Sequence, residues 1–449
     1  ASSTGAAAPR AMASAAGAAP GATTSSLVPQ GAALRTPSVS VRRPPGPMVA
    51  EPQRAALEKK GYAVIGTHSA VKMCRWTKNA LKGRGHCYKH AFYGISSHQC
   101  MEATPSLACA NKCTFCWRSY ANPVALRWNF ETNDPREIVE GSLEAHKRRF
   151  IRQVVSSGVV REDRAAEAQD VRHCALSLVG EPVLYPHIGE LIEELHSQRI
   201  STFVVTNGQF PSLLEALPRV TQLYVSVDAP TKEELYEVGR PLFADAWERL
   251  LASLDALRSH GCRGRRTVCR LTLRKGAMTR ETAQGYAALL RRAEPDFVET
   301  KGVTYVPQFA HMGLSMSDTV PTHSEVREFA KLLGQELSSG VGASSDSAGL
   351  SYGLASEHRH SCAVLLARQP RWRGASSATW RTWIDFNAFF DSAQADDALQ
   401  KKLEEPVEQL RWSAPTPDWA LYGAPEAGLD PEDDPRPRVR PRPDGFAVL

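Results

Sequence analysis

The sequence predicts an α/β protein built from parallel strand–helix units. Three observations carry this reading. Apolar runs of five to seven residues alternate with amphipathic stretches, the pattern of buried strands and the helices that cover them. Several of the runs stop at Gly, Asn or Asp turns, and at least six such units fit in series. Periodicity alone leaves open a doubly wound sheet or a full or partial (βα) barrel. Either fold places its active site at the C-terminal ends of the strands.

The elements follow in order. The first strand is expected in Ala103–Cys109, with Pro135–Val155 as the next helix. Arg172–Pro182 reads as a buried strand ending in a Gly turn, and His187–Arg199 has helical periodicity. Ser201–Gly208, Gln222–Pro230, Arg266–Gly276 and Asp296–Val306 are further strands. A short helix near Phe210–Pro218, a long helical stretch from Thr231 to His260 and a helix over Arg280–Glu294 separate them. Polar groups gather at strand ends: Cys109, Gly180-Glu181-Pro182, Thr206-Asn207-Gly208, Ser226 to Asp228, and Lys301-Gly302. Their convergence on one rim weighs more than any one of them.

Composition bounds the rest. With 449 residues, 42% apolar and 23% charged, the chain has the make-up of a globular protein. It has no uninterrupted apolar run of about 18 residues, so no membrane span is expected. Net charge is 54 − 48 = +6, a mild bias toward acidic partners. Residues 1–50 hold Arg10, Arg35, Arg42 and Arg43, no acid, and mostly Ala, Ser, Gly and Pro. Such a segment buries no core and is expected to be disordered. The domain plan is therefore an extension over 1–52, a folded domain over 53–424, and a Pro/Arg-rich, polyproline-like tail over 425–449. A basic, Ser-rich, acid-free leader describes an organelle transit peptide as well as a linker. The expected location is cytoplasmic, with mitochondrion or plastid as the alternative.

The ten cysteines carry the chemistry. A chain this large is no disulfide-stapled miniature, so its thiols are metal ligands, catalysts or core residues. "SLACANKCTFCWR" places Cys109, Cys113 and Cys116 at C-x3-C-x2-C. Structural zinc closes four positions with paired knuckles, whereas here three thiolates stand alone. Three close thiolates suit an iron-sulfur cube whose fourth iron stays open to a small molecule. Upstream, Cys74, Cys87 and Cys100 repeat as C-x12-C-x12-C. Unrelated core thiols gain nothing from equal spacing, which suggests a second three-cysteine cube in the segment 74–100. Cys174, Cys262, Cys269 and Cys362 show no pattern and read as core or surface residues.

Lys59–Met101 contains eight Lys or Arg and no acid. Around a cluster, that strip points to a phosphate-rich substrate. Tyr88, Phe92 and Tyr93 are candidates to stack displaced RNA bases.

The cysteine loop resembles that of the radical S-adenosylmethionine (SAM) superfamily. The resemblance implies a partial (βα)6-type TIM barrel and a [4Fe-4S] cluster whose open iron chelates SAM. By it, Phe115 lies near the adenine, Gly180 and Glu181 receive the SAM amino group, and Asn207 and Ser226 contact its ribose or carboxylate. The stretch Cys87–Arg118, with "EPDFVETKGVTYV", "EHRHSCAVLLAR", "TWIDFNAF" and "TPDWALYGAPEAGLDP" in order, is similar to the tRNA 4-demethylwyosine synthases. That family implies two [4Fe-4S] clusters, and a substrate tRNA-Phe carrying N1-methylguanosine 3′ of the anticodon. It implies condensation with pyruvate, a carbon-carbon lyase reaction in wybutosine biosynthesis. Lys89 matches a family lysine that forms a Schiff base with pyruvate or positions it; a phosphate-contacting lysine is the other reading. A lysine amine becomes nucleophilic when desolvated or set beside other cations.

Members with an N-terminal flavodoxin-like domain draw electrons through FMN. The 73 residues before Cys74 are too few for that domain. Either the chain is a fragment, or it uses an external flavodoxin-like or other reductase. A monomer is expected. Two alternatives differ in what they need: a radical SAM enzyme on another RNA would not require Cys74, Cys87 and Cys100. A non-catalytic, metal-containing tRNA-binding protein would not require Glu181.

Overall fold

A ten-stranded sheet organises the computed structural model, which describes residues 45–116, 122–263, 265–339, 350–373, 379–392 and 412–433. The expectations for residues 1–44 and 434–449 lie outside the described residues. The strands run β1 (Tyr62–Ile65), β2 (Ser69–Lys72), β3 (Cys100–Thr104), β4 (His173–Leu176), β5 (Ser201–Thr206), β6 (Gln222–Ser226), β7 (Thr267–Leu273), β8 (Phe297–Gly302), β9 (Ser351–His358) and β10 (Ala363–Gln369). Their spatial order is sequential except that β10 lies between β8 and β9. From β3 to β8 every neighbouring pair is parallel. That is the expected partial (βα)6 barrel, with the antiparallel pairs β1–β2 and β9–β10 at its two edges. No helix among the described residues is long and apolar enough to cross a membrane.

Crossover helices cover one face. Pro135–Glu144 starts on Asp134, whose carboxylate accepts the Arg136 N–H at 2.8 Å, and has Pro at its first position. It continues through Ala145–Ile151 to Val155. Ile188–Ser197, Ala246–Cys262, Arg280–Ala293 and His323–Ser339 follow. Their apolar stripes meet the outward residues of the strands in the main core, among them Leu191, Val225, Leu254, Cys269, Leu290 and Val298. Cys174 and Cys269 are buried there, as expected of core thiols.

Three sequence expectations change. The first parallel strand lies at Cys100–Thr104 rather than Ala103–Cys109, and the antiparallel β1 and β2 precede it. Pro105 has no N–H to continue the ladder, and Leu107, Ala108 and Ala110 are spent instead on a buried loop. The helical stretch from Thr231 to His260 breaks after Gly239. Arg240 adopts a left-handed φ of 44° and Pro241 cannot donate. The freed backbone binds the cysteine loop: Thr114 N–H donates to Val238 O at 2.9 Å, and Leu242 N–H to Ala110 O at 2.9 Å. At the ends, Met48 and Val49 are already buried before a helix, α1 (Glu51–Lys59). Residues 425–433, read as tail, remain packed on the domain, with Asp433 buried. The apolar spacing there is too sparse to announce a packed segment, because polar groups make its contacts.

Candidate active site

Two groups of thiols occupy different levels of the barrel. At the C-terminal ends of the strands, Cys109 follows β3. Its thiol accepts from the Asn207 side-chain amide at 3.3 Å and from the Asn111 N–H at 3.4 Å. Asn207 lies just beyond β5, and its backbone N–H donates to Glu181 Oε2 at 2.8 Å. One residue therefore touches both Cys109 and Glu181. The turn that carries Glu181 needs glycine before it: Gly180 has φ +75°, and a Cβ there would lie 1.9 Å from Ser106 O. Glu181 N–H donates to Ala108 O at 2.8 Å, so the Gly-Glu turn rests on the cysteine loop.

Glu181 is 1% exposed. Burial pushes its carboxyl up to about 7, against the pull of the Asn207 N–H. Thr206 and the Val183 N–H also favour the charged form, yet Oε1 has no hydrogen-bond partner. A buried acceptor without a donor is a place for a ligand's cation or N–H. Cys113 and Cys116 complete the loop, with Cys116 N–H donating to Cys113 O at 3.1 Å. Phe115 packs against Val303, Val306 and Phe309 beyond β8. Ser226 ends β6, half-buried.

The second group lies inside the barrel. Cys74 caps α2 (Arg75–Leu81), Cys87 caps α3 (Tyr88–Tyr93), and Cys100 opens β3. Burial raises all three thiols, Cys100 to about 12, and each is pushed further by neighbouring negative groups. Cys74 is pushed up by Cys87 and Cys100, so the three thiols are within electrostatic reach of one another. Lys89 is 8% exposed and pulls the Cys87 and Cys100 thiols back down. Its ammonium lies 5.2 Å from the Tyr224 ring centroid and 5.8 Å from that of Phe203. Glu102, two residues along β3 from Cys100, is raised by burial and held down by Lys89 and Cys74.

Inward positions of β7 and β8 add Arg270, Glu299 and Lys301. Glu299 accepts the Tyr88 hydroxyl at 3.0 Å and the Tyr93 hydroxyl at 2.8 Å. Lys301 is held down to about 8 by burial and by Arg270. Tyr88, Phe92 and Tyr93 are buried in the barrel's interior core, which corrects their reading as an RNA-stacking surface. Lys89 faces the same interior.

The structure thus joins Cys109, Glu181 and Asn207 at the rim, and Cys74, Cys87, Cys100 and Lys89 below. Sequence reasoning missed Glu102, Arg270 and Glu299. Their signal was present as charged residues at alternate positions of otherwise apolar strands, "CMEAT", "TVCRLTL" and "FVETKG". Each set offers three cysteine thiols, the donor chemistry that iron-sulfur clusters use. Burial disfavours the thiolate at Cys74, Cys87 and Cys100, and iron, which binds the thiolate, would offset that penalty. The nine described cysteines form no disulfide.

Residues 104–277 match the family described as "Radical SAM superfamily", and residues 292–368 match "Wyosine base formation". The S-adenosyl-L-methionine-dependent tRNA 4-demethylwyosine synthase of Oryza sativa subsp. japonica is 49% identical over 379 residues, covering 84% of this chain and 54% of that protein. The Homo sapiens protein TYW1 of the same name is 46% identical over 387 residues, covering 86% and 50%. The chain spans about half the length of these curated relatives. Among solved structures, "Structure of TYW1 with a lysine-pyruvate adduct bound" has a TM-score of 0.60 and 31% identity, covering 72% of this chain and 98% of that one. "Crystal structure of archaeal TYW1" has a TM-score of 0.55 and 30% identity, covering 72% and 98%.

Proposed function

The chain belongs to the tRNA 4-demethylwyosine synthase family of radical SAM proteins, and from that premise we propose its reaction. It converts N1-methylguanosine, 3′ of the anticodon of tRNA-Phe, to 4-demethylwyosine by condensation with pyruvate. One observation carries the reading: a buried lysine amine, Lys89, is near enough to the Cys87 and Cys100 thiols to favour their charged forms, in the barrel that holds the other triplet at its rim.

Cys109, Cys113 and Cys116 would hold the first [4Fe-4S] cluster, and Cys74, Cys87 and Cys100 the second. When bound, the first cluster and SAM supply the 5′-deoxyadenosyl radical that takes a hydrogen atom from the N-methyl group. Glu181 Oε1 is suited to accept the SAM ammonium, whose charge draws the carboxyl back to its ionised form. Asn207 keeps Cys109 and Glu181 in register. Lys89 is the residue suited to bind pyruvate, as a Schiff base or through its charge, and a lysine-pyruvate adduct is present in the similar solved structure. Phe203 and Tyr224 give that amine an apolar, low-dielectric floor. Cleavage of the pyruvate C1–C2 bond, with the carboxyl carbon leaving as a one-carbon product, would make the reaction a carbon-carbon lyase. A flavodoxin-like or other reductase is proposed as electron donor.

The test supplies N1-methylguanosine-containing tRNA, SAM, pyruvate and a strong reductant to the anaerobically reconstituted protein. The tricyclic base is expected. Fully loaded clusters with SAM cleavage and no tricyclic base would refute the assignment.

A further inference from the structure

The segment that follows Tyr422 returns to the second triplet. Gly428, at φ +81°, passes so close to β9 that a Cβ would lie 1.9 Å from Glu357 O. Arg359 N–H donates to Ala427 O at 2.9 Å, and Gly428 N–H to Trp419 O at 3.1 Å. The chain then turns, with Glu432 N–H on Asp430 Oδ1 at 3.0 Å. Two carboxylates are thereby aimed inward. Asp430 Oδ2 lies 2.9 Å from His90 Nε2, with both side chains almost buried. Asp433 Oδ1 accepts from Arg164, whose guanidinium also donates to Ala80 O at 2.9 Å, just before the end of α2. Asp433 Oδ2 faces His86 Nε2 at 3.6 Å.

His86 and His90 stand on either side of Cys87, before and within α3. Their rings stack with centroids 4.0 Å apart. Stacked rings project their in-plane lone pairs side by side, and His86 Nδ1 already accepts the Ser97 N–H at 3.3 Å. Neither feature suits a shared metal ion, so the group is a clamp: Asp430 is hydrogen-bonded to His90, and Asp433, held by Arg164, sets an otherwise unpartnered Oδ2 opposite His86.

We propose that Asp430 and Asp433 are positioning residues for the second iron-sulfur site. They fix the His86–His90 segment, and with Arg164 the end of α2, so that Cys87 and Cys74 are presented before iron arrives. This rests on the two-cluster reading above. The C-terminal segment is then part of the second site, although it is distant in sequence from all three thiols.

The test uses the full chain with Asp430→Ala, Asp433→Ala and both together, and Asp430→Asn, which keeps an acceptor for His90. Iron and sulfide are counted after anaerobic reconstitution, and amide hydrogen exchange of residues 86–93 is followed in the apoprotein. Wild type is expected to hold about eight irons, as two four-iron cubes require. The double alanine variant is expected to hold about half as many, to cleave SAM normally, and to exchange faster only in the clamped segment. Asp430→Asn should restore most of the iron relative to Asp430→Ala. Eight irons in the double variant would overturn the proposal, as would equal loss of both clusters with faster exchange throughout, or one stoichiometric zinc removed by these substitutions. Only four irons in wild type would instead overturn the two-cluster reading.

Discussion

The hydroxyl of Tyr93 donates to Glu299 Oε1 at 2.8 Å, joining residues 206 positions apart in the chain. Tyr88 takes the other oxygen at 3.0 Å. A single carboxylate on β8 therefore holds both ends of α3, the helix that starts at Cys87 and carries Lys89. Glu299→Leu leaves two buried phenol hydroxyls without an acceptor, at roughly 1–3 kcal/mol for each unsatisfied group. We expect this variant to lose about 3 kcal/mol of apoprotein stability in chemical denaturation. Tyr88→Phe should lose about 1 kcal/mol, the worth of one net hydrogen bond. Equal losses in the two variants would contradict the shared-carboxylate account.

Glu181 gives a pH signature. Its carboxyl is raised to about 7 by burial, above the ordinary value near 4.5. The folded apoprotein therefore prefers the neutral form. The stabilisation from burying this carboxyl neutral is fully present below pH 4.5 and is lost as pH rises through 7. A shift of this size corresponds to about 3 kcal/mol at 1.36 kcal/mol per unit. Glu181→Gln cannot ionise. Relative to wild type, this variant should gain stability between pH 5 and 7.5 and level off above. A pH-independent difference between the two proteins in urea unfolding would refute the assigned burial.

Asn207→Ala removes the amide donor to Cys109 but keeps the backbone N–H that holds Glu181. Hydrogen bonds to cluster sulfurs help set reduction potential. The reconstituted variant should show a lower potential for the first cluster and roughly tenfold slower SAM cleavage, the rate equivalent of about 1.4 kcal/mol. Spectroelectrochemical titration reads the first effect and 5′-deoxyadenosine release the second. An unchanged potential would remove Asn207 from the site.

The parallel strands were legible because their apolar runs are uninterrupted on the outer face, as in Leu223, Val225, Cys269 and Val298. The rim was legible from Cys109, Glu181 and Asn207, since turn chemistry marks strand ends. The lumen was harder to read. Glu102, Arg270 and Glu299 sit within strands whose neighbours are apolar, and only the pairing of β3 to β8 turns them inward together. Tyr88, Phe92 and Tyr93 read as an exposed aromatic strip because the surrounding lysines suggested a surface. Folding the helix into the barrel buries the strip. The packed segment ending at Asp433 was not legible, because its anchors are hydrogen bonds to His90 and Arg164 rather than an apolar pattern.

The most direct test of the two-cluster centre is Cys100→Ala, assayed for iron, SAM cleavage and tricyclic product in one reconstituted preparation. Iron should fall from about eight to about four per chain, with 5′-deoxyadenosine still released and no 4-demethylwyosine formed. A variant that keeps eight irons, or makes product at the wild-type rate, would contradict the account.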